Sequence, residues 1–183
     1  MEREIKLRFA SADEARAAII AAGATPLLER RLQEDALLDT PAETLRQRNC
    51  ALRVRMEAGT SRVTFKGPVE PGAMKLRKEL ESVVDDGQTL LRVFEELGFR
   101  IWFRYEKYRE EFIHDGVIVA IDETPVGVFV EIEGTESGIT AMAAALGRTP
   151  PDYILDSYRG LFLKHREAFG LTGRDLVFQS AGA

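Results

Sequence analysis

The chain has 183 residues, of which 45% are hydrophobic and 30% charged, a composition typical of one soluble domain that buries its own core. Its single cysteine and two histidines exclude a disulfide framework and a zinc cluster built from those residues. The net charge of −5 argues against a general nucleic-acid binder. Because no apolar run reaches the ~20 residues that span a membrane and the first residues are charged, we expect a cytoplasmic protein.

Strands dominate the first half of the chain. The first strand is MEREIKLRF, and a capping box from Ser11 to Glu14 starts a helix that Gly23 ends. The second strand is LLERRLQEDALLD, followed by a turn and short helix in DTPAETLRQRN. A hairpin signal, Ala58-Gly59-Thr60, joins the next two strands, CALRVRME and SRVTFKG. The fifth strand is KLRKELESVV.

The second half begins with an amphipathic helix, DGQTLLRVFEELG, that Gly98 closes. Three more strands follow, in WFRYEKYREEFI, GVIVAIDE and VGVFVEIEG, which makes eight in total. The remaining segments ITAMAAALG and YILDSYRGLFLKHREAFG are predicted to be helical, and the last ten residues lack periodicity. We predict a single domain over residues 1–170 and a C-terminal tail over residues 171–183.

Charged residues of like sign recur two positions apart in nearly every strand. Because successive side chains of a strand alternate between its two faces, each such pair lies on one face. In the first strand, the charged face opposes a face that holds Ile5 and Leu7. The charged faces comprise Glu2, Glu4, Lys6 and Arg8; Arg53 and Arg55; Arg62 and Lys66; Arg77, Glu79 and Glu81; Lys107 and Arg109; and Glu131 and Glu133.

Two architectures can produce this pattern. In an ordinary sandwich the charged faces lie in water and the apolar faces form the core. However, neighbouring like charges destabilise a strand unless opposite charges lie across from them, and solvated faces usually mix signs. The segregation therefore favours an α+β fold built on a closed, eight-stranded antiparallel barrel with a charged interior and helices over its apolar outer face.

A charged interior of both signs predicts what the barrel binds, because buried charges need partners. The oxygens of a linear triphosphate accept hydrogen bonds from arginine and lysine. Grouped carboxylates supply the oxygen ligands that Mg²⁺ or Mn²⁺ prefers. We therefore expect a small-molecule triphosphate with its divalent metal, no nucleic-acid or membrane partner, and either a monomer or a homodimer.

Short motifs on these strands follow one another over about residues 1 to 160. In chain order they are Glu2-Arg-Glu4-Ile-Lys6, Arg53-Val-Arg55, Lys66-Gly67-Pro68, Arg77-Lys-Glu79-Leu-Glu81, Lys107-Tyr-Arg109, Ala120-Ile-Asp122-Glu and Glu131-Ile-Glu133. The set resembles the CYTH superfamily, or triphosphate tunnel metalloenzymes, which includes class IV adenylyl cyclases, thiamine triphosphatases and inorganic triphosphatases. Asp39-Thr-Pro41 and Ser157-Tyr158 look closest to the class IV adenylyl cyclase branch.

The resemblance implies a tunnel-like barrel and, with the chemistry, a role for each charged residue. Lys6, Arg53 and Arg55 are the predicted catalytic residues, Lys6 orienting or activating the nucleophile because neighbouring cations can lower a lysine pKa. Arg77 either binds phosphate or neutralises its neighbouring glutamates. The predicted substrate-binding residues are Lys6, Arg53, Arg55, Lys66, Arg77, Lys107 and Arg109. The predicted metal ligands are Glu2, Glu4, Glu131 and Glu133, with Glu79, Glu81 and Asp122 as further ligands or their partners.

The sequence leaves the reaction open. Hydrolysis uses an activated water, whereas cyclisation needs a ribose 3′-hydroxyl in line with the α-phosphate, and both need the same clamp and metal. The second strand has no tyrosine to assist Lys6 with a water, which weakens hydrolysis, and no base-recognition signature is visible. The simpler demand favours a triphosphatase acting on inorganic triphosphate, thiamine triphosphate or a nucleoside triphosphate. The alternative is an adenylate cyclase that converts ATP to cyclic AMP and pyrophosphate; a noncatalytic nucleotide or polyphosphate sensor is disfavoured because Lys6 and the carboxylates are all present.

Overall fold

Eight antiparallel strands close into a barrel in the computed structural model, which describes residues 1–179. The strands are β1 Glu2–Phe9, β2 Thr25–Asp39, β3 Ala51–Glu57, β4 Thr60–Glu70, β5 Lys75–Val84, β6 Arg100–His114, β7 Val117–Thr124 and β8 Gly127–Glu133. The helices are α1 Ala12–Ala21, α2 Thr44–Gln47, α3 Gly87–Glu96, α4 Glu136–Ala145 and α5 Tyr158–His165, with a 3-10 turn at Pro150–Asp152. No helix in this range is long and apolar enough to cross a membrane.

The strand order around the barrel is β1-β5-β4-β3-β2-β6-β7-β8, and β8 pairs with β1 to close it. This confirms the predicted closed antiparallel barrel with a charged interior. The register aligns the charged inner faces, since Lys6 of β1 pairs with Glu131 of β8 and Glu2 pairs with Arg77 of β5. At these two positions, opposite charges lie across from one another on adjacent strands, which stabilises the like-charged faces there.

Turn and cap residues define where the elements end. Ala58 and Gly59 both have positive φ, 44° and 79°, as a two-residue hairpin between β3 and β4 requires. The hydroxyl of Ser11 accepts the backbone N–H of Glu14 and caps α1, as the predicted capping box requires. The local sequence thus determines the turn between β3 and β4 and the residue at which α1 begins.

Apolar side chains fill the space between the barrel and the helices. One cluster, which includes Ile5 and Leu7, lies under α1 and α4, and another, around Val54 and Leu91, lies under α3. The outer face of β5 departs from the predicted covering: Leu80 is 56% exposed. Helices therefore cover most, though not all, of the apolar outer surface.

Helix α5 packs against the inner face of the barrel. Tyr105 and Phe129 precede Lys107 and Glu131 by two residues, so their aromatic rings share the inner face with the charged side chains. Tyr158 of α5 packs against both rings, with centroids 5.8 and 6.1 Å away. This aromatic contact fills part of the interior that the strands alone would leave open.

The predicted C-terminal helix was wrong over its first residues. Tyr153 to Ser157 are not helical, because Ile154 exchanges two backbone hydrogen bonds with Lys6, at 2.9 and 3.1 Å. Strand β1 pairs with β5 only over Glu2 to Glu4, so its edge is open at Lys6 and takes this bridge instead. The predicted tail is described as far as residue 179, and residues 180–183 lie outside the described residues. Within it, Leu176 is fully buried and bridges to Tyr105.

Candidate active site

A cavity of about 590 Å³ runs inside the barrel, and charged side chains of both signs line it. Every predicted substrate-binding residue lines this cavity, and so does every predicted metal ligand except Asp122. The predicted residues brought together there are Glu2, Glu4, Lys6, Arg53, Arg55, Lys66, Arg77, Glu79, Glu81, Lys107, Arg109, Glu131 and Glu133. Residues from six of the seven motifs therefore meet in one space, although they are spread over the chain.

Asp122 is fully buried behind the cavity wall. Its carboxylate accepts hydrogen bonds from Lys107 at 2.8 Å, from Arg109 at 2.7 Å and from the hydroxyl of Tyr158. Because three donors already engage its two oxygens, Asp122 holds the two cations in place and is not positioned as a metal ligand. The sequence left open whether Asp122 is a metal ligand or a partner of the site residues, and its contacts correspond to the second role.

Asp35 of β2 contacts Arg53 and Arg55 in the way that Asp122 contacts Lys107 and Arg109. Asp35 was not among the predicted site residues. Its buried carboxylate accepts hydrogen bonds from Arg55 at 2.9 and 3.1 Å and lies 3.4 Å from Arg53. Burial alone would raise the pKa of Asp35, but the two guanidinium groups lower it. The signal was present in the sequence, since Gln33, Asp35 and Leu37 share one face of the second strand.

Lys6 lies between two carboxylates, with Nζ 3.1 Å from Glu4 and 3.0 Å from Glu131. Burial by itself would lower the pKa of Lys6, but the charges of Glu131 and Glu4 raise it above its usual value. The prediction of a lowered Lys6 pKa was therefore wrong, because its nearest neighbours are anions. Lys6 stays charged and is placed to bind or orient an anion.

Two other lysines in the cavity have the lowered pKa that was expected of Lys6. Burial and the charge of Arg109 lower the pKa of Lys107 to about 8, and burial and the charge of Lys6 lower that of Lys75 to about 8. Lys75, whose Nζ lies 2.5 Å from Glu4, was not among the predicted site residues. It shares the inner face of β5 with Arg77, so the two-residue period would have found it.

Glu2 and Glu79 lie close together at Lys66, whose Nζ is 2.8 and 2.7 Å from their carboxylates. Burial and a hydrogen bond with Glu2 raise the pKa of Glu79. Burial would also raise the pKa of Glu2, but the hydrogen bond with Glu79 and the charge of Lys66 lower it to about 2. Arg77 lies 3.5 Å from Glu2. Of its two possible roles, this contact fits neutralisation of the neighbouring glutamates.

Glu81 lies at the side of this group. Its carboxylate accepts hydrogen bonds from Thr64 at 2.9 Å and from Arg62 at 3.1 Å, and it lies 3.5 Å from Arg53. With 31% of its side chain exposed, it is the most accessible partner of Arg53. Glu81 therefore orients Arg53 from the more exposed part of the cavity.

The negative charge at Glu133 is not balanced by a nearby lysine or arginine in the described residues. Among residues 1–179, no lysine or arginine lies within 4.0 Å of the Glu133 carboxylate. Desolvation and the charges of Glu2 and Glu4 raise the pKa of Glu133 to about 7. Within the same range, no three Asp, Glu, His or Cys side chains stand grouped as a ready metal site. The surplus charge nevertheless fits a divalent cation, with Glu2, Glu4 and Glu133 as the residues that would hold it.

Tyr158 contributes an aromatic surface to the centre of the cavity. Its ring centroid lies 5.3 Å from Lys6 Nζ and 4.7 Å from Lys107 Nζ. Burial and the charge of Asp122 raise the pKa of its hydroxyl well above the usual value, so the phenol stays protonated. The ring of Tyr158 therefore packs over both lysines.

A closed barrel around a tunnel of lysines, arginines and carboxylates is the CYTH triphosphate tunnel fold. The chain belongs to the CYTH domain family, whose model matches residues 1–148. A protein of Methanocaldococcus jannaschii, provisionally named an adenylate cyclase, is 31% identical over 113 residues. The matched region is 61% of this chain and 65% of that protein, so the chain spans slightly less than two thirds of this curated relative.

Solved structures share the fold. A protein of Vibrio parahaemolyticus, provisionally named an adenylate cyclase, superposes with a TM-score of 0.77 at 20% identity, over 88% of this chain and 97% of the other. The PH1012 protein of Pyrococcus horikoshii superposes with a TM-score of 0.74 at 26% identity, over 86% of this chain and 97% of the other. The protein HpAC1 of Hippeastrum, described as having a dominant triphosphatase activity, has a TM-score of 0.66 at 22% identity, covering 92% and 96% of the two chains.

Proposed function

We propose that the chain is a divalent-metal-dependent triphosphatase that binds a triphosphate in the barrel cavity and hydrolyses a phosphoanhydride bond. The observation that carries the proposal is the cavity itself, in which all seven predicted phosphate-binding cations and the carboxylates for a metal line one space of about 590 Å³. Phosphoryl transfer depends mainly on positioned positive charge, and this cavity provides it.

The cations are held in place before substrate binds. Asp35 accepts a hydrogen bond from Arg55 at 2.9 Å and lies 3.4 Å from Arg53, and Asp122 fixes Lys107 and Arg109 through hydrogen bonds of 2.8 and 2.7 Å. Guanidinium groups held in this way lose little freedom on binding phosphate oxygens, so more of the interaction free energy remains for catalysis. Arg53, Arg55 and Arg109 stabilise the charge on the phosphates, and Lys107 adds to this when it is protonated.

Lys6 and the carboxylates near Glu133 form the opposite wall. Glu2, Glu4 and Glu133 would hold Mg²⁺ or Mn²⁺, and the ion would neutralise phosphate charge and polarise a phosphoryl oxygen. Charged Lys6 would donate hydrogen bonds to the phosphate chain or to the attacking water. Lys107 is the better candidate to accept a proton, since its pKa of about 8 leaves a share of it neutral near neutral pH.

The test is product analysis with three substrates, namely inorganic triphosphate, thiamine triphosphate and ATP, each with Mg²⁺ or Mn²⁺. We expect orthophosphate with metal and none in chelator. Arg53→Ala should lower turnover about a hundredfold, as removal of a donor to the transition state commonly does. The matched control is Arg92→Ala, an exposed arginine of α3 that does not line the cavity. Full turnover in chelator, or in Arg53→Ala, would contradict the proposal.

The second candidate is an adenylate cyclase. The provisional names of the Methanocaldococcus jannaschii and Vibrio parahaemolyticus proteins favour it. The same assay separates the two reactions, because cyclisation of ATP yields pyrophosphate and cyclic AMP without orthophosphate. Inorganic triphosphate is a substrate only for hydrolysis.

A further inference from the structure

An arginine-rich groove of about 480 Å³ lies on the outside of the barrel, beside α5. The arginines that line it are Arg46, Arg100, Arg159, Arg166 and Arg174. Asp39 is the one carboxylate among its lining residues in the described part of the chain, and backbone N–H groups of α2 already engage its oxygens. The groove is therefore strongly positive, although the whole chain carries a net charge of −5.

Most of these guanidinium groups have no anion close to them. Among residues 1–179, no carboxylate lies within 4.0 Å of Arg100, Arg159 or Arg166. Arg174 is 3.6 Å from Asp175, and that aspartate also accepts the backbone N–H of Arg104. Clustered like charges repel one another, and a bound anion would relieve that repulsion.

The groove is continuous with the tunnel. Arg46, Trp102 and Arg159 line both, so they lie where the tunnel opens to the surface. Trp102 occupies this position because it is the extra residue of a β-bulge: Leu37 pairs with Phe103 and Leu38 pairs with Ile101. The guanidinium carbons of Arg46 and Arg159 lie 4.3 and 4.9 Å from the centroid of its ring.

We propose that this groove binds phosphate groups that extend beyond the tunnel, so that linear phosphate chains longer than triphosphate are part of the substrate class. The inference rests on the proposed function, because it requires one end of the chain in the tunnel. Guanidinium forks match phosphate oxygens in pairs, which explains why the groove uses arginine. Arg46 is paired with Asp39 and Glu43 at 3.3 and 2.7 Å, but the groove's described lining residues include no group of carboxylates like that of the tunnel, so it binds phosphate without a metal.

The experiment compares the affinity of a long inorganic polyphosphate with that of inorganic triphosphate, both in chelator and at low salt, by calorimetry. The wild type should bind the long chain at least about tenfold more tightly per chain, since each added arginine contact is charge-assisted. Arg100→Ala combined with Arg166→Ala should abolish this preference, and Arg92→Ala should keep it. Raising the salt concentration should reduce it in the wild type.

Three outcomes would overturn the proposal: equal affinities in the wild type, a preference that the double variant retains, or a single-stranded oligonucleotide bound more tightly than polyphosphate. Melting temperatures check the fold of the double variant, and Arg174→Ala alone replaces it if it does not fold. Turnover of triphosphate with metal tests the tunnel separately, so either proposal can fail while the other holds.

Discussion

Glu4 of β1 and Glu133 of β8 are paired directly across the two adjacent strands, so two carboxylates meet on the tunnel wall. Glu4 is neutralised, since Lys6 and Lys75 lie 3.1 and 2.5 Å from it. Glu133 has no such partner among residues 1–179, and its pKa is raised to about 7. The register therefore concentrates negative charge at one place in the tunnel, and the consequences can be measured.

The first prediction concerns the metal. Adding Mn²⁺ to the wild type should raise its melting temperature with increasing concentration, because the ion binds the folded state. Glu133→Gln should lose most of that rise while melting at or above the temperature of the metal-free wild type, since it relieves like-charge repulsion. Glu136→Gln, an exposed glutamate of α4, is the control. A rise in Glu133→Gln equal to that of the wild type would exclude Glu133 as a ligand.

A second prediction separates binding from turnover at Lys6. Lys6→Ala should lose turnover, and triphosphate with metal should still raise its melting temperature, because the cations on β3 and β6 continue to hold the phosphates. Without ligand, the variant should be less stable than the wild type, since Glu4 and Glu131 each lose a partner at about 3 Å. Normal turnover would leave Lys6 as a structural cation only.

The third prediction is the stability effect of Asp35. Asp35→Asn should lower the free energy of unfolding by about 3 to 5 kcal/mol, as expected when one partner of a buried ion pair is removed. Denaturant unfolding measures the difference. Asp115→Asn, in the exposed turn between β6 and β7, should change stability by less than about 0.5 kcal/mol. A small effect at Asp35 would mean that Arg53 and Arg55 are stable without it.

The fourth prediction is a pH dependence at Asp39, whose side chain is 1% exposed. Burial would raise the pKa of Asp39, but the backbone N–H groups of Leu45, Arg46 and Thr40 lower it below its usual value. A carboxyl with a lowered pKa in the folded state stabilises above its unfolded pKa of about 4, and loses that contribution as pH falls through the folded value.

Asp39→Asn should therefore be less stable than the wild type by about 1 to 2 kcal/mol at neutral pH, and the difference should shrink as pH falls below about 4. Melting temperatures of both proteins over this pH range test the sign. A difference that grows on acidification would contradict the assignment of the charged form as the cap.

The fifth prediction contrasts two neighbours on β1. Glu4 faces the tunnel and Ile5 is fully buried in the cluster under α1 and α4. Glu4→Gln should reduce metal-dependent turnover strongly, and its cost in stability should be the smaller of the two, because the lost ion pairs with Lys6 and Lys75 are offset by relief of the repulsion from Glu131 and Glu133. Ile5→Gln should destabilise the protein by about 2 to 4 kcal/mol, because it buries an amide without partners. Measured on both variants, Glu4→Gln should lose more turnover and Ile5→Gln more stability. The reverse result would mean that the face of β1 with Ile5, and not the face with Glu4, lines the tunnel.

The two-residue charge period was enough to predict the barrel and most of its lining, because alternation along a strand directly determines which side chains share a face. It did not predict which charges would be neighbours across strands. Lys6 illustrates the difference: in sequence it lies two residues from both Glu4 and Arg8, whereas in the barrel the register adds a second anion, Glu131 of β8, at 3.0 Å. Its pKa depends on that register, which the strand order and not the local pattern determines.

The extended segment before α5 was missed for a similar reason. Tyr153 to Ser157 have residues compatible with a helix, but the open edge of β1 offers backbone hydrogen bonds to Ile154. Such a partner, distant in sequence, overrides local propensity. The bulge that exposes Trp102 has the same origin, because it arises from the pairing of β2 with β6.

The bridge between Lys6 and Ile154 also constrains when the tunnel can form during synthesis. Strand β1 leaves the ribosome before its neighbour β8 and before the segment around Ile154. Until then, the lysine and glutamates of β1 remain hydrated without the partners that neutralise them in the folded protein. Because pairing between such distant segments is slow, the charged interior is assembled last, and the nascent chain should remain dependent on its helices and local hairpins for any earlier structure.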